Sequence, residues 1–208
     1  MTRAHIADPH IVAKLRRGEE ARIRPCVGAT HCMSPARPAC LHNAATGRET
    51  ALPHAIARAA HPGRAVIVVG GGPAGLEAAR VAAERGHNVV LFEAAPALGG
   101  QVRIGAGASW RGDLIGVIDW RAGELARLGV DIRLNRYAEA EDVLREAPDI
   151  VIIATGGIPD LDWIDGAQFC TSVWDILTGA VRAGEEIIVY DGTGRHPAPH
   201  CAEYLALA

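Results

Sequence analysis

Apolar and polar positions alternate in long blocks along the second half of the chain, and the blocks change period. "RAVIVV" (64–69) is a continuous apolar run that ends in glycines, the pattern of a parallel strand buried on both faces. "PAGLEAARVAAERG" (73–86) then carries a helical period and stops at Gly86, and "HNVVLFE" (87–93) returns to strand. Beyond a Gly-rich loop, "GDLIGVIDWRAGELARLG" (112–129) places Leu114, Ile118, Ala122, Leu125 and Leu128 on one helical face. "VDIRL" (130–134) predicts a third strand, "AEAEDVLREA" (138–147) a helix, and "DIVIIATGG" (149–157) a fourth strand. "EEIIVYDGTG" (185–194) predicts a further strand and turn, followed by the start of a helix in "PHCAEYLALA" (199–208). Strand and helix in alternation predict an α/β fold with a doubly wound parallel sheet.

The first sixty residues are different. "HIVAKLRRGEEARI" (10–23) reads as a short basic helix, with Asp8 as its cap and Pro9 at its first position. Residues 25–60 are rich in Pro, Cys, His and Ala and hold no period. Four zones follow: 1–24, 25–60, 61–160 and 161–208.

Composition narrows the class. Hydrophobic residues are 49% and charged residues 22% of 208, as in a globular protein, and 24 glycines suit many tight strand-to-helix turns. A net charge of −3 gives no general attraction to nucleic acid or to an anionic membrane, so neither is an expected partner. The opening residues lack the apolar core of a signal peptide, "AVIVV" is too short to span a bilayer, and a cytoplasmic location is expected. Five cysteines without a secretory signal favour thiols or metal ligands over a disulfide framework.

The strongest chemical signal is Gly70-x-Gly72-x-x-Gly75, set between a strand and a helix as a dinucleotide fingerprint requires. Gly70 permits the turn, Gly72 lets a pyrophosphate approach the backbone, and Gly75 permits close helix–strand packing. Pro73 and Ala74 open the helix, whose N-terminal N–H groups and dipole suit phosphates. Glu93 ends the second strand, where a carboxylate would accept from ribose hydroxyls. Ala94 and Ala95 follow it, no arginine is offered to a 2′-phosphate, and NADP is disfavoured there. Physics alone leaves FAD and NAD open, since both share an ADP half. Two small-residue turns favour FAD: "ALGGQ" with Gly99, Gly100 and Gln101, and "ATGG" with Thr155 and Gly156, although "ATGG" reads equally well as a simple strand-ending turn.

"CVGATHC" (26–32), with Cys40 in "PACLHNAATG", spaces three cysteines as C-x5-C-x7-C. This spacing is not a common zinc pattern, although three thiols and one histidine match zinc's tetrahedral set. Cys170 and Cys201 sit in apolar surroundings and are expected to be buried thiols. His196 and His200 are four apart, but Pro197 and Pro199 argue against a helix across them. No G-x-S-x-G turn points to a hydrolase.

"VVGGGPAGLEAAR", "LFEAAPALGGQ", "IDWRAGELARLGVDIRLN" and "DIVIIATGG" resemble the C-terminal half of the trimethylamine dehydrogenase and 2,4-dienoyl-CoA reductase group, multidomain relatives of old yellow enzyme. The subset of amine and N-methyl amino acid demethylases is the most similar. The opening stretch resembles the exit from that family's FMN-binding barrel, and "CVGATHC…CLHNAATG" its iron–sulfur loop. The resemblance implies that 1–24 is a remnant of the barrel's end, 25–60 an iron–sulfur-type loop, 61–160 a Rossmann-like FAD- or ADP-binding domain, and 161–208 a linker with the start of an incomplete second nucleotide-binding domain. It implies further that Arg3 matches an arginine on the FMN phosphate, and that Cys26, Cys32 and Cys40 match ligands of a 4Fe-4S cluster. Ala29 stands where a fourth thiolate is expected. His31, His42, water or a small anion could replace it, or the cluster could be lost.

On this resemblance the chain reads as a fragment of a longer flavin-dependent oxidoreductase, with FMN bound only in the full-length parent. Electrons would pass between flavin, cluster and an electron-transfer partner or NAD(P)H. The alternative expectation is a non-catalytic ADP-binding module with its cysteine loop empty or filled by zinc.

Overall fold

The computed structural model describes residues 2–34 and 36–207. Its centre is a four-stranded parallel sheet: β1 (Ala65–Val69), β2 (Asn88–Phe92), β3 (Asp131–Arg133) and β4 (Ile150–Ile153), in the order β3-β2-β1-β4. β1 lies inside the sheet, with Val66 paired to Val89 on one side and to Ile150 on the other. Its β-branched run therefore has a partner strand at each edge and a layer on each face, and Val66, Ile67 and Val68 are buried. Eight helices accompany the sheet among the described residues. α3 (Pro73–Glu84) and α5 (Gly116–Arg127) pack together over one face. Leu76 and Ala79 of α3 meet Ile118 and Leu125 of α5 there, in one cluster with Val66, Val68 and Leu91. The other face holds Ile67, Phe92 and Val143, the last from α6 (Ala140–Arg145). The doubly wound parallel sheet expected from the sequence is thus present.

The N-terminal segment forms α1 (Thr2–Ala7), α2 (Ile11–Arg16) and a 3-10 turn at Glu20–Arg22, and it docks on α5. Trp120 Nε1 donates to the carbonyl of Arg22 at 3.0 Å. Asp8 is not the cap of α2. That position is held by His10, with no side-chain cap. The Asp8 carboxylate is buried and accepts from Lys14 Nζ and from the N–H groups of His10 and Arg24. A desolvated carboxylate is held best by several donors, one of them charged, and the tertiary fold supplies them.

Four other expectations are corrected. The Gly-rich stretch after β2 contains α4 (Gly100–Gly105), and a 3-10 turn at Gly112–Ile115 precedes α5. No strand forms over 185–190: the segment pairs with nothing, and Ile188 is 96% exposed. An apolar run without a neighbouring strand has no ladder to join. α8 (Pro197–Leu207) does cross His196 and His200, because both prolines fall in its first turn, where an N–H has no intrahelical partner. The N–H of His200 reaches the carbonyl of His196 at 3.0 Å. The predicted end of that helix at Ala208 lies outside the described residues. Cys201 is buried as expected, whereas Cys170 is exposed, in the irregular segment before α7 (Val173–Leu177).

Candidate dinucleotide site and cysteine cleft

The fingerprint turn sits at the C-terminal end of β1, the side of a parallel sheet on which ligands bind. A Cβ at Gly70 would lie 2.3 Å from the carbonyl oxygen of Ala154, so β1 and β4 can approach only because this residue has none. Its φ of +111° also excludes an ordinary side chain. At Gly75 a Cβ would fall 1.8 Å from the Gly70 carbonyl oxygen. The turn and the first coil of α3 are therefore in backbone contact. Gly72 is the opposite case: its φ is −72°, and a Cβ there would meet nothing within 4 Å. Open space at that position is what a close-lying pyrophosphate needs. Gly72 caps α3 without a side-chain hydrogen bond and Pro73 follows, so side chains leave the helix N-terminus free for an anion. Ala74, next in the first turn, is exposed.

Glu93 follows β2 and closes the turn from the side. Its Oε2 accepts the N–H of Gly71 at 2.6 Å, and its Oε1 accepts that of Ala95 at 2.7 Å. A carboxylate offers about four lone-pair sites, so each oxygen keeps capacity for a ribose hydroxyl. Gly71 has a part that the sequence reading missed: a Cβ there would lie 2.7 Å from Leu98 and 2.8 Å from Glu93 Oε2. Its only sequence signal is that it is the middle glycine of "GGG" (70–72).

The two turns thought to favour FAD converge on the same rim. Gly99 donates its N–H to the carbonyl of Gly71 at 2.9 Å. A Cβ at Gly100 would touch the Cα of Gly72 at 3.4 Å. Gln101 Nε2 donates to the carbonyl of Gly157 at 3.1 Å, beside Gly156, whose φ is +74°. Thr155 is exposed next to Gly70. Gly70, Gly72, Pro73, Ala74, Gly75, Glu93, Gly100, Gln101, Thr155 and Gly156 thus border one rim, and the residues fit the ADP half of a dinucleotide.

Arg3 and the cysteines lie elsewhere. Cys26, Cys32, Cys40, Arg3, His31 and His42 line one narrow cleft of about 30 Å³. The loop turns at Thr30, a β-branched residue held at φ +58°, which is a strained conformation. Ala29 packs against the hydrophobic core beneath. All three thiols are free. Among the described residues, no three His, Cys, Asp or Glu side chains converge closely enough to hold a metal ion. The cleft gathers donors without forming a coordination shell, so it does not by itself fit a four-ligand cluster.

His42 is buried, and its Nδ1 faces Arg121 Nη1 at 3.5 Å. Burial, followed by the charges of Arg121 and Arg24, pushes its pKa down to about 4, so the ring is neutral near pH 7. Beneath the loop runs a polar network that sequence reading also missed. Arg80 bonds Glu77 and Glu84 on its own helix, and Arg121 Nε reaches Glu77 at 3.0 Å. Burial alone would raise the Glu77 pKa, but the hydrogen bonds and charge of Arg80, with the charges of Arg121 and Arg24, hold it below the usual value. The i, i+3 and i, i+4 spacing of Glu77, Arg80 and Glu84 was a visible signal.

Comparison with known proteins agrees with this geometry. Residues 65–133 match the family described as FAD dependent oxidoreductase. The chain is 55% identical over 203 residues to a multifunctional alkene reductase/demethylase from Caballeronia cordobensis, a match covering 98% of this chain and 30% of that protein. It is 50% identical over 213 residues to a probable N-methylproline demethylase from Rhizobium meliloti, covering 100% and 31%. The solved 6-hydroxypseudooxynicotine amine oxidase from Pseudomonas geniculata N1 superposes with a TM-score of 0.89 at 31% identity, over 99% of this chain and 33% of that one. The resemblance to the trimethylamine dehydrogenase and 2,4-dienoyl-CoA reductase group is thus borne out, over nearly all of this chain and about a third of each relative. The chain spans about 30% of the length of the curated relatives it matches. Among the described residues, no helix is long and apolar enough to cross a membrane.

Proposed function

We propose that this chain supplies the FAD- or ADP-binding portion of a flavin-dependent oxidoreductase acting on a small organic substrate, with N-methylated amines as the favoured class. The observation that carries the reading is the open Gly72 position at an uncapped helix N-terminus, flanked by Glu93. FAD, when bound, would supply hydride and single-electron chemistry. The chain's own residues would do the holding. The N–H groups at the start of α3 would face the diphosphate, Glu93 would accept from the ribose hydroxyls, and the Gly100–Gln101 and Thr155–Gly156 turns would border the rest of the cofactor. Glu93 would also repel a 2′-phosphate, which selects against NADP at this rim. The substrate class is taken from the relatives, two of which are named as an N-methylproline demethylase and an N,N-dimethylglycine/sarcosine dehydrogenase.

In the same reading Cys26, Cys32 and Cys40 would supply three thiolates to a 4Fe-4S group once the loop draws them together, and Arg3 would hold the FMN phosphate in the full-length protein; such a group would supply one-electron transfer. A second reading is favoured by one observation, the packing of Ala29 against the core with no convergent donor set among the described residues. In that reading the chain binds ADP structurally, and the cleft is empty or holds zinc.

Anaerobic purification, a visible spectrum and an iron and zinc assay separate the two. Flavin bands with a broad iron–sulfur shoulder and iron support the redox reading. A colourless protein carrying ADP, with zinc or no metal, supports the module.

A further inference from the structure

A second cleft, of about 200 Å³, lies between α2, the 3-10 turn at Glu20–Arg22, α3 and α5. Its charge is unbalanced. Lys14, Arg17, Arg22, Arg24 and Arg80 line it with Asp8, Glu84 and Glu124; adding the groups paired to these, Glu19, Glu77, Arg121 and Arg127, gives seven cations against five carboxylates, two positive charges in excess.

Those carboxylates are already engaged. Asp8 accepts from Lys14 and two backbone N–H groups, Glu84 from Arg80, and Glu124 from Arg127 at 2.8 Å. Arg22 stands 3.5 Å from Glu124 through Nε and 3.5 Å from Glu19 through Nη1, ion contacts without hydrogen-bond geometry. Arg24 has no such partner. Its guanidinium lies over the Trp120 ring at 5.1 Å, and its Nε is shut off from solvent with no acceptor. None of its side-chain N–H groups meets an acceptor among the described residues. Lys14 also has capacity left, since Asp8 and the Arg22 carbonyl take two of its three N–H donors.

A guanidinium whose Nε is shut off from solvent without an acceptor is costly, and its planar fork suits the oxygens of phosphate or carboxylate. Two excess charges and donors on both Arg24 and Lys14 match a tetrahedral dianion better than a single carboxylate. We propose that this cleft is a binding site for a phosphate-type oxyanion, anchored by Arg24 over the Trp120 floor and flanked by Lys14. The site is separate from the dinucleotide rim and does not depend on the flavin reading.

Titration calorimetry of the whole chain in chloride buffer at constant ionic strength tests it, with inorganic phosphate, glycerol 3-phosphate and acetate as probes. At least one phosphate probe should bind saturably at one per chain, with acetate weaker. Binding of both phosphate probes means that the phosphoryl group itself is read, and binding of one alone names its source. Arg24→Gln should weaken binding by about tenfold to a hundredfold, the scale of a lost charged hydrogen bond. Arg24→Lys, which keeps the charge and loses the fork, should fall between and serves if Arg24→Gln does not fold. Absence of saturable binding by either phosphate probe would overturn the proposal. So would phosphate binding that neither Arg24 variant changes, which would move it to the α3 N-terminus.

Discussion

Gly75→Ala and Gly72→Ala differ by three positions and should fail in opposite ways. At Gly75 the new methyl would stand 1.8 Å from the Gly70 carbonyl oxygen and 3.3 Å from Val68 Cγ1. Reaching ordinary van der Waals contact requires the turn and α3 to part by more than ~1 Å. Overpacking a dense interior by one carbon costs about 1–3 kcal/mol. The obstacle here is backbone that cannot swing aside, so the cost belongs at the top of that range. For a chain of this size ~3 kcal/mol lowers the melting temperature by roughly 6–12 °C.

At Gly72 the backbone is extended and no atom lies within 4 Å of the added methyl. Stability should hold, or rise by ~0.5 kcal/mol through the less flexible unfolded chain. The methyl would instead occupy the approach to the helix N-terminus and weaken FAD and ADP binding by about tenfold or more. Thermal melts of the two variants, paired with ligand titrations, read both effects. An unchanged melt for Gly75→Ala, or full affinity in Gly72→Ala, would refute the account of this turn.

Glu93→Gln should weaken ADP binding by roughly tenfold, the scale of a lost charged hydrogen bond, and narrow the preference for ADP over 2′-phospho-ADP; competition titrations read both. Arg80→Ala leaves Glu84 without its partner and Glu77 with Arg121 alone, and should destabilise by about 3 kcal/mol in urea melts. Glu77 and Asp8 both have folded-state pKa values below their ordinary 4.5 and 3.8. Their contribution is therefore complete above those values and is lost as pH falls through the lower folded ones. Urea midpoints should fall as pH drops below those ordinary values, and less steeply in Arg80→Ala.

The regular parts of this protein were legible because one signal sufficed for each. "AVIVV" could only be a strand buried on both faces, and three glycines at fixed spacing implied a backbone contact that the 1.8 and 2.3 Å clashes now explain. Glu93 could be placed because the end of β2 must face the end of β1 in a parallel pair. What was not legible depended on tertiary partners. Asp8 looked like a cap by local rules, but Arg24, sixteen residues away, supplies one of its donors. Residues 185–190 have strand propensity and no strand to join. Pro197 and Pro199 looked like breakers until their place in the first turn of α8 was known. The cysteine spacing named candidate donors, while only the fold shows that they share a cleft and do not converge.

Titration of FAD into the purified chain, followed by flavin fluorescence and repeated with ADP as competitor, tests the central claim most directly. The account predicts saturable binding of one FAD per chain that ADP displaces, because the ADP half is what the Gly70–Gly75 turn and Glu93 hold. Absence of binding, or FAD binding that ADP does not displace, would contradict it.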